Sequence, residues 1–221
     1  MTPGVGRGAI VRHAELHFSP AAEHIMAMPV SRPRRWTAAE VERLVDEREG
    51  LSPRYELVDG ELLVTPAPSG RHQRIIFRLA VLLHEYVTRE RLGEVRLGPG
   101  KLDLVTGERY EPDLFVLPAI GGRQPPAADA SIRPVLIVET VSPGSSRHDR
   151  ITKRRSFQRN GIPDYWVVDG DAEAFEIWHP DDERAMLADH RIVWLPPAAT
   201  SAFELDVRAF FASVADDAPL G

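Results

Sequence analysis

The sequence predicts a single α/β domain built on a mixed sheet with few helices. Three observations carry that expectation. Short β-rich runs outnumber helical stretches. An Asp59-Gly60 pair joins two of those runs as a tight hairpin signal. Strands and helices do not alternate in a regular βαβ series, so a doubly wound parallel array is not expected.

Taken in order, residues 1–34 carry Gly4, Gly6, Gly8, several prolines and "SRPRR" with no sustained period. They read as a flexible N-terminal extension, with Met26 and Met28 as alternative starts. Residues 35–214 hold the domain and 215–221 a short tail. "TAAEVERLVDERE" opens the domain as a helix, Thr37 and Glu40 forming a capping box and Val41, Leu44 and Val45 one apolar face. "RYELVDGELLVTPAP" is the hairpin. "SGRHQRIIFRLAVLLHEYVTRERLG" is a long amphipathic helix expected to stop at Gly93. Strands follow in "EVRLG", "KLDLVT", "DLFVLP" and "PVLIVETVS", interrupted by the surface loop "AIGGRQPPAADASIR". "SRHDRITKRRSFQRNG" is the next helix, with Ser146 as expected N-cap and Gly161 just past its end. "YWVVD", "AFEIWH" and "RIVWLP" are further strands, and "TSAFELDVRAFFASV" ends in a short helix.

The totals exclude whole classes of chemistry. The chain has no cysteine, so disulfides, thiolate zinc sites, iron–sulfur clusters and cysteine nucleophiles are out. No apolar run approaches the roughly 20 residues that cross a bilayer, and no secretory leader is evident, so a cytoplasmic protein without membrane contact is expected. A net charge of -6 argues against a general electrostatic grip on nucleic acid but leaves room for a local basic site. Several motifs fail on inspection. "LGPGKLD" has Leu102 where a phosphate loop needs Ser or Thr, "HEYVT" has Thr88 where a zinc-protease helix needs His, and no Gly-x-Ser-x-Gly elbow is present.

What remains is a carboxylate in an unexpected place. Glu139 lies inside the apolar run Val135–Val141, where a lone charge is costly unless it is paired, metal-bound or neutralised. Asp113 begins another apolar strand directly after Pro112. Lys153 lies on the basic helix that follows Glu139, where a lysine can point back to the strand end. His72, at the start of the long helix, and Glu56, on the hairpin, are accessory candidates. Two carboxylates on neighbouring strands with a lysine suit Mg2+ or Mn2+, hard ions that take oxygen ligands from one or two carboxylates and keep several waters. Without metal the two acids repel, and the pKa of at least one should rise.

The ordered set "YELVDGELLVTPAPSGRHQRI", "EPDLFVL", "LIVETVSPGSSRHDRITKRRSFQRNGIPDYWVVD" and "FELDVRAFF" resembles the Uma family of restriction-endonuclease-like proteins, a branch of the PD-(D/E)XK nuclease superfamily, over roughly residues 36–211. The resemblance implies a restriction-endonuclease-like mixed sheet flanked by helices, with the acids on a central antiparallel pair. Pro112-Asp113 matches the first signature acid and Glu139 the second. The superfamily lysine usually follows two residues after that acid, where this chain has Val141. Lys153 matches the branch's "DR-x-x-K" pattern as Asp149-Arg150…Lys153, so the lysine is expected from the helix. Phe157 stands where relatives often carry Tyr, which removes a hydroxyl role at that position.

On this footing the expected activity is a metal-dependent endonuclease hydrolysing phosphodiester bonds in DNA, working as a homodimer. Asp113 and Glu139 hold the metal, Lys153 assists the attacking water, and Arg150 and Arg154 contact backbone phosphates. The alternatives are an inactive nuclease-fold module that binds nucleic acid or protein, and a structural dimer joined through strand edges such as "AFEIWH".

Overall fold

The computed structural model describes residues 34–126, 129–141 and 146–215. All but the last residue of the expected extension 1–34, and all but the first residue of the expected tail 215–221, lie outside that range. Helix α1 (Ala38–Glu47) starts at the predicted capping box: the Glu40 amide donates to Thr37 Oγ1 at 3.3 Å, and the Thr37 amide to Glu40 Oε2 at 2.9 Å. Strands β1 (Arg54–Val58) and β2 (Glu61–Thr65) form the hairpin. Asp59 and Gly60 both have positive φ, 52° and 77°, which is why this turn wants an Asp-Gly pair.

Helix α2 (Gly70–Arg89) begins at Ser69, whose side chain accepts from the His72 amide. It ends four residues before the expected Gly93. Arg91 takes the left-handed conformation, φ 55°, and the Arg91 and Leu92 amides donate back to the carbonyls of Thr88 and Val87. That is a Schellman closure with arginine in the position glycine normally takes. Gly93 serves a different need. A Cβ there would lie 1.9 Å from the Leu117 carbonyl oxygen, so the glycine permits close approach of neighbouring strands.

Next come β3 (Gly93–Leu97), β4 (Leu102–Asp103), β5 (Arg109–Tyr110), β6 (Leu114–Pro118) and β7 (Leu136–Val141). The helix after β7 is not uniform. A π-helical turn, His148–Lys153, leads into α3 (Arg154–Arg159). Ser146 is already helical, so it is not the N-cap, and its hydroxyl accepts from Arg150 instead. Gly161 closes α3 as predicted: φ is 62°, and the Gly161 and Ile162 amides donate to Gln158 and Phe157. The chain finishes with β8 (Asp164–Asp169), β9 (Ala174–Trp178), β10 (Met186–Ala188), β11 (Arg191–Trp194), β12 (Phe203–Asp206) and α4 (Val207–Ser213).

The central sheet has the order β10-β9-β8-β7-β6-β3. Only β7 and β8 run parallel, so the sheet is mixed as expected. Strand β9 is bonded on both sides, to β8 and β10, so "AFEIWH" offers no free edge for self-association. Alternation along β7 sorts its side chains between two cores. Leu136 and Val138 join α2, α4 and the β11–β12 pair on one face. Ile137 joins Phe157 of α3 and residues of the small sheet β2-β1-β5-β4 on the other. Helix α1 covers the outside of the hairpin through Val41, Val45 and Leu57. Among the described residues no helix is long and apolar enough to cross a membrane.

Candidate active site

The register of β6 and β7 places the two acids. Leu114 pairs with Val138, so Asp113, one residue earlier, lies beside Glu139. The Asp113 amide approaches Glu139 Oε2 at 3.4 Å, and the Thr140 amide donates to Asp113 Oδ2 at 2.8 Å. Glu139 is 2% exposed and shares the Ile137 face, the side on which the π-helical turn packs. Lys153, 3% exposed, reaches back from that turn, and its Nζ donates to Glu139 Oε1 at 2.8 Å. Val141 therefore does not leave the acid without a lysine.

Lys153 serves more than one carboxylate. Asp149 Oδ1 is 3.3 Å from Nζ, one helical turn back. Glu56 Oε2 is 2.7 Å away but off the hydrogen-bonding direction, so this contact is an ion pair and that oxygen stays without a hydrogen bond. The other Glu56 oxygen accepts from the Glu111 amide, which fixes the carboxylate against the strand leading to Asp113. Asp113 has its own donors. Arg54 Nη1 donates to Oδ1 at 2.6 Å and His72 Nε2 to Oδ2 at 3.0 Å. Hairpin β1 thus supplies Arg54 and Glu56 from one face, and the first turn of α2 supplies His72.

The electrostatics follow from burial. Glu139 is pushed well above the ordinary carboxylate range by burial first; Lys153 opposes this, and the charges of Asp113, Asp149 and Glu56 add to it. Asp113 goes the other way. Burial alone would raise it, but the His72 hydrogen bond and the Arg54 charge outweigh that and hold it low. This is the split expected of two neighbouring acids. Burial would lower the Lys153 ammonium, yet Glu139, Glu56 and Asp149 together carry it well above the usual lysine range. It stays charged at any working pH and cannot act as a base.

The donor set fits a divalent cation by charge. Glu56, Asp113, Glu139 and Asp149 are buried together, and the permanent cations among them are Lys153 and Arg54. Among the described residues four carboxyl groups thus share two permanent cations in a low-dielectric site, an arrangement that a further cation would relieve. Orphaned polar atoms cluster there as well. Among the described residues Glu56 Oε2, Thr140 Oγ1, Arg54 Nε and Arg71 Nε have no hydrogen-bond partner. No group of three or more His, Asp or Glu side chains converges as a complete metal cage among those residues. An ion held by two carboxylates and water does not need one.

Arg150 and Arg154 stand outside this cluster and are engaged within the protein. Arg150 Nη2 donates to Asp169 at 2.6 Å and Nε to Glu176 at 2.5 Å, tying the π-helical turn to β8 and β9. Arg154 lies 4.4 Å over the Trp178 ring and donates to Gln158. Phe157 packs between Tyr110 and Tyr165, a core role that needs no hydroxyl. Sequence reasoning missed Arg54, Asp149 and Arg71 as site residues. A signal existed for Arg54, which shares a strand face with Glu56 by the two-residue period.

A cleft of about 290 Å³ opens on Glu139, Asp149 and Lys153, with Arg71 at its lining. Three comparisons bear on what such a site belongs to. No curated protein matches the sequence. A crystal structure from Anabaena variabilis ATCC 29413, described as a "putative nuclease belonging to DUF820", shares the fold with a TM-score of 0.64 at 19% identity, over 79% of this chain and 98% of that one. The family model described as "Uma2: Putative restriction endonuclease" matches residues 38–208, a span that contains the hairpin, both acids, His72 and Lys153. The chain belongs to the Uma2 family.

Proposed function

We propose that this protein is a divalent-metal-dependent endonuclease that hydrolyses phosphodiester bonds in DNA. The observation that carries the proposal is the 2.8 Å contact from Lys153 to Glu139, beside an Asp113 that the antiparallel pair β6–β7 holds against the same carboxylate. Family membership supports nuclease chemistry in general; the metal, the DNA substrate and the residue roles are the proposal itself.

Asp113 and Glu139 would hold Mg2+ or Mn2+, which polarises a phosphate and lowers the pKa of bound water. The protein's own groups do the rest. Arg54 and His72 fix the two oxygens of Asp113, so the carboxylate is preoriented. Lys153 opposes the rise that burial imposes on Glu139 and offers positive charge where charge builds on the phosphate. Glu56, bonded to the Glu111 amide, and Asp149 hold the ammonium in place. Arg150 and Arg154 would reach a DNA backbone only by giving up their present partners, so we assign the first phosphate contact to Arg71. Among the described residues its Nε has no hydrogen-bond partner, and its guanidinium meets the exposed Asp171 and Glu173.

The test is nicking of supercoiled plasmid in Mg2+ and Mn2+. Wild type should cut, and Glu139→Ala and Lys153→Ala should each lose at least about a hundredfold, the usual size of one electrostatic or acid–base contribution. Cutting that persists in both variants points to another site. The second reading, a nuclease-fold module that binds without cutting, has one observation in its favour: both oxygens of Asp113 are already bonded within the protein. Calorimetry with Mn2+ separates the two. Heat that disappears in Asp113→Ala supports the enzyme, and its absence in wild type supports the module.

A further inference from the structure

The acid cluster is closed in. Glu56, Asp113, Glu139, Asp149 and Lys153 are each 6% exposed or less. A DNA duplex is a rod that stays straight over about 150 base pairs, with its phosphates on the outside. A strand free of its partner can bend its phosphates into a cleft more readily than such a rod can.

Two clefts lead inward. The one described above reaches Glu139 and Lys153. A second, of about 440 Å³, reaches Asp113 from the other side. They share Arg54, Ala67, Pro68 and His72, so they meet at the site. The second cleft is lined by Leu51, Phe77 and Leu97, which are 69%, 68% and 45% exposed. Large apolar side chains bared at the mouth of a buried ionic site call for a ligand with an apolar face.

The helix that carries Phe77 adds the charge. Helix α2 places exposed Gln73 and Arg74 one turn before Phe77; Arg74 also donates from Nε to the Val214 carbonyl at 3.2 Å, exposed Arg78 follows about a quarter turn further round, and Arg71 lies on the first turn. No acid occurs from Gly70 until Glu85. An aromatic ring among arginines, in a protein of net charge -6, is a local basic and stacking surface. Unpaired nucleotides offer both a phosphate for arginine and a free ring face for phenylalanine. A duplex keeps its ring faces inside its own stack.

We propose that the substrate is DNA that is unpaired where it enters the site, with a base seated on Phe77 between Leu51 and Leu97 and its phosphates along Arg71, Arg74 and Arg78. What then happens to that strand rests on the nuclease reading; the preference for an unpaired strand does not.

The experiment is fluorescence anisotropy without added metal, comparing a labelled single strand with the duplex of the same sequence. The single strand should bind more tightly. Phe77→Ala should weaken single-strand binding by roughly tenfold, the order of one base stacked on an aromatic ring, and leave duplex binding unchanged. Phe77 is mostly exposed, so the variant should keep its melting temperature, and Leu51→Ala should show a smaller loss of the same kind. Leu187→Ala, on exposed β10, serves as the control and should change nothing. Duplex binding as tight as single-strand binding overturns the proposal. So does single-strand affinity indifferent to Phe77→Ala, or a change of oligomeric state in that variant by light scattering, which would make the patch a contact between copies. Cleavage is read separately in Mn2+. A wild type that prefers single strands but cuts nothing sinks the nuclease reading alone, and one that cuts duplex in preference to single strand sinks this proposal alone.

Discussion

Remove the ammonium of Lys153, and Glu139, Glu56 and Asp149 lose the cation they share. Breaking a buried ion pair from one side costs about 3–5 kcal/mol, so Lys153→Ala should unfold at markedly lower urea concentration than wild type. Added Mn2+ should recover part of the loss, because a bound cation answers the same charge. Glu139→Gln is predicted to behave in the opposite way. Burial and neighbouring carboxylates already disfavour the Glu139 charge, so its removal should leave the melting temperature equal or higher while abolishing metal-dependent cutting. A Glu139→Gln protein that melts well below wild type would mean the carboxylate is structural. Both acids were legible in the sequence because each breaks a local pattern, a charge in an apolar strand and an acid after proline; Lys153 was legible through its helix following that strand and its resemblance to the family's "DR-x-x-K" pattern. Arg54 shares a strand face with Glu56, but its pairing with Asp113, 59 residues on, leaves no local mark.

At the scale of the element, short-range chemistry is legible in the sequence and long-range packing is not. The capping box, the Asp-Gly turn and Gly161 are short-range chemistry, and each falls where its residues place it. The end of α2 does not, because Arg91 adopts a left-handed conformation that side chains disfavour while Gly93 is reserved for the approach to Leu117. Arg91→Gly should therefore stabilise by up to about 1 kcal/mol, and Gly161→Ala should destabilise by about the same amount, both measurable by urea denaturation. The π-helical turn was illegible because no local motif in His148–Lys153 sets it apart from an α-helix. Strands β5 and β10, with two and three residues, are too short to carry a period. Helix α2 is also tied down at its far end. Glu90 accepts from the amides and hydroxyls of Thr200 and Ser201, and these bonds, the Ser201 hydroxyl first, lower its pKa to about 2. A depressed carboxylate contributes stability above its unfolded pKa, near 4.5, and loses it as pH falls through the folded value. Wild type should lose this contribution between about pH 4.5 and 2, and the stability of Glu90→Gln should fall less steeply across that window.

For the whole molecule, the mixed sheet brings parts of four segments together. Hairpin β1 gives Arg54 and Glu56, the start of α2 gives His72, the β6–β7 pair gives the acids, and the π-helical turn gives Asp149 and Lys153. The net charge of -6 hid a basic surface on the first half of α2, because the total averages over faces. If Arg71, Arg74 and Arg78 are the phosphate contacts, single-strand affinity should fall with a log–log salt slope of about -2, and Arg78→Ala should make it shallower by about 0.7. The central claim, that Asp113 and Glu139 form a metal site served by Lys153, is tested most directly by a crystal soaked in Mn2+ and measured at the manganese edge. The predicted result is one strong anomalous peak in contact with carboxylate oxygens of both Asp113 and Glu139, absent in Glu139→Gln. A soaked crystal with no peak there, or with its peak on other residues, would contradict it.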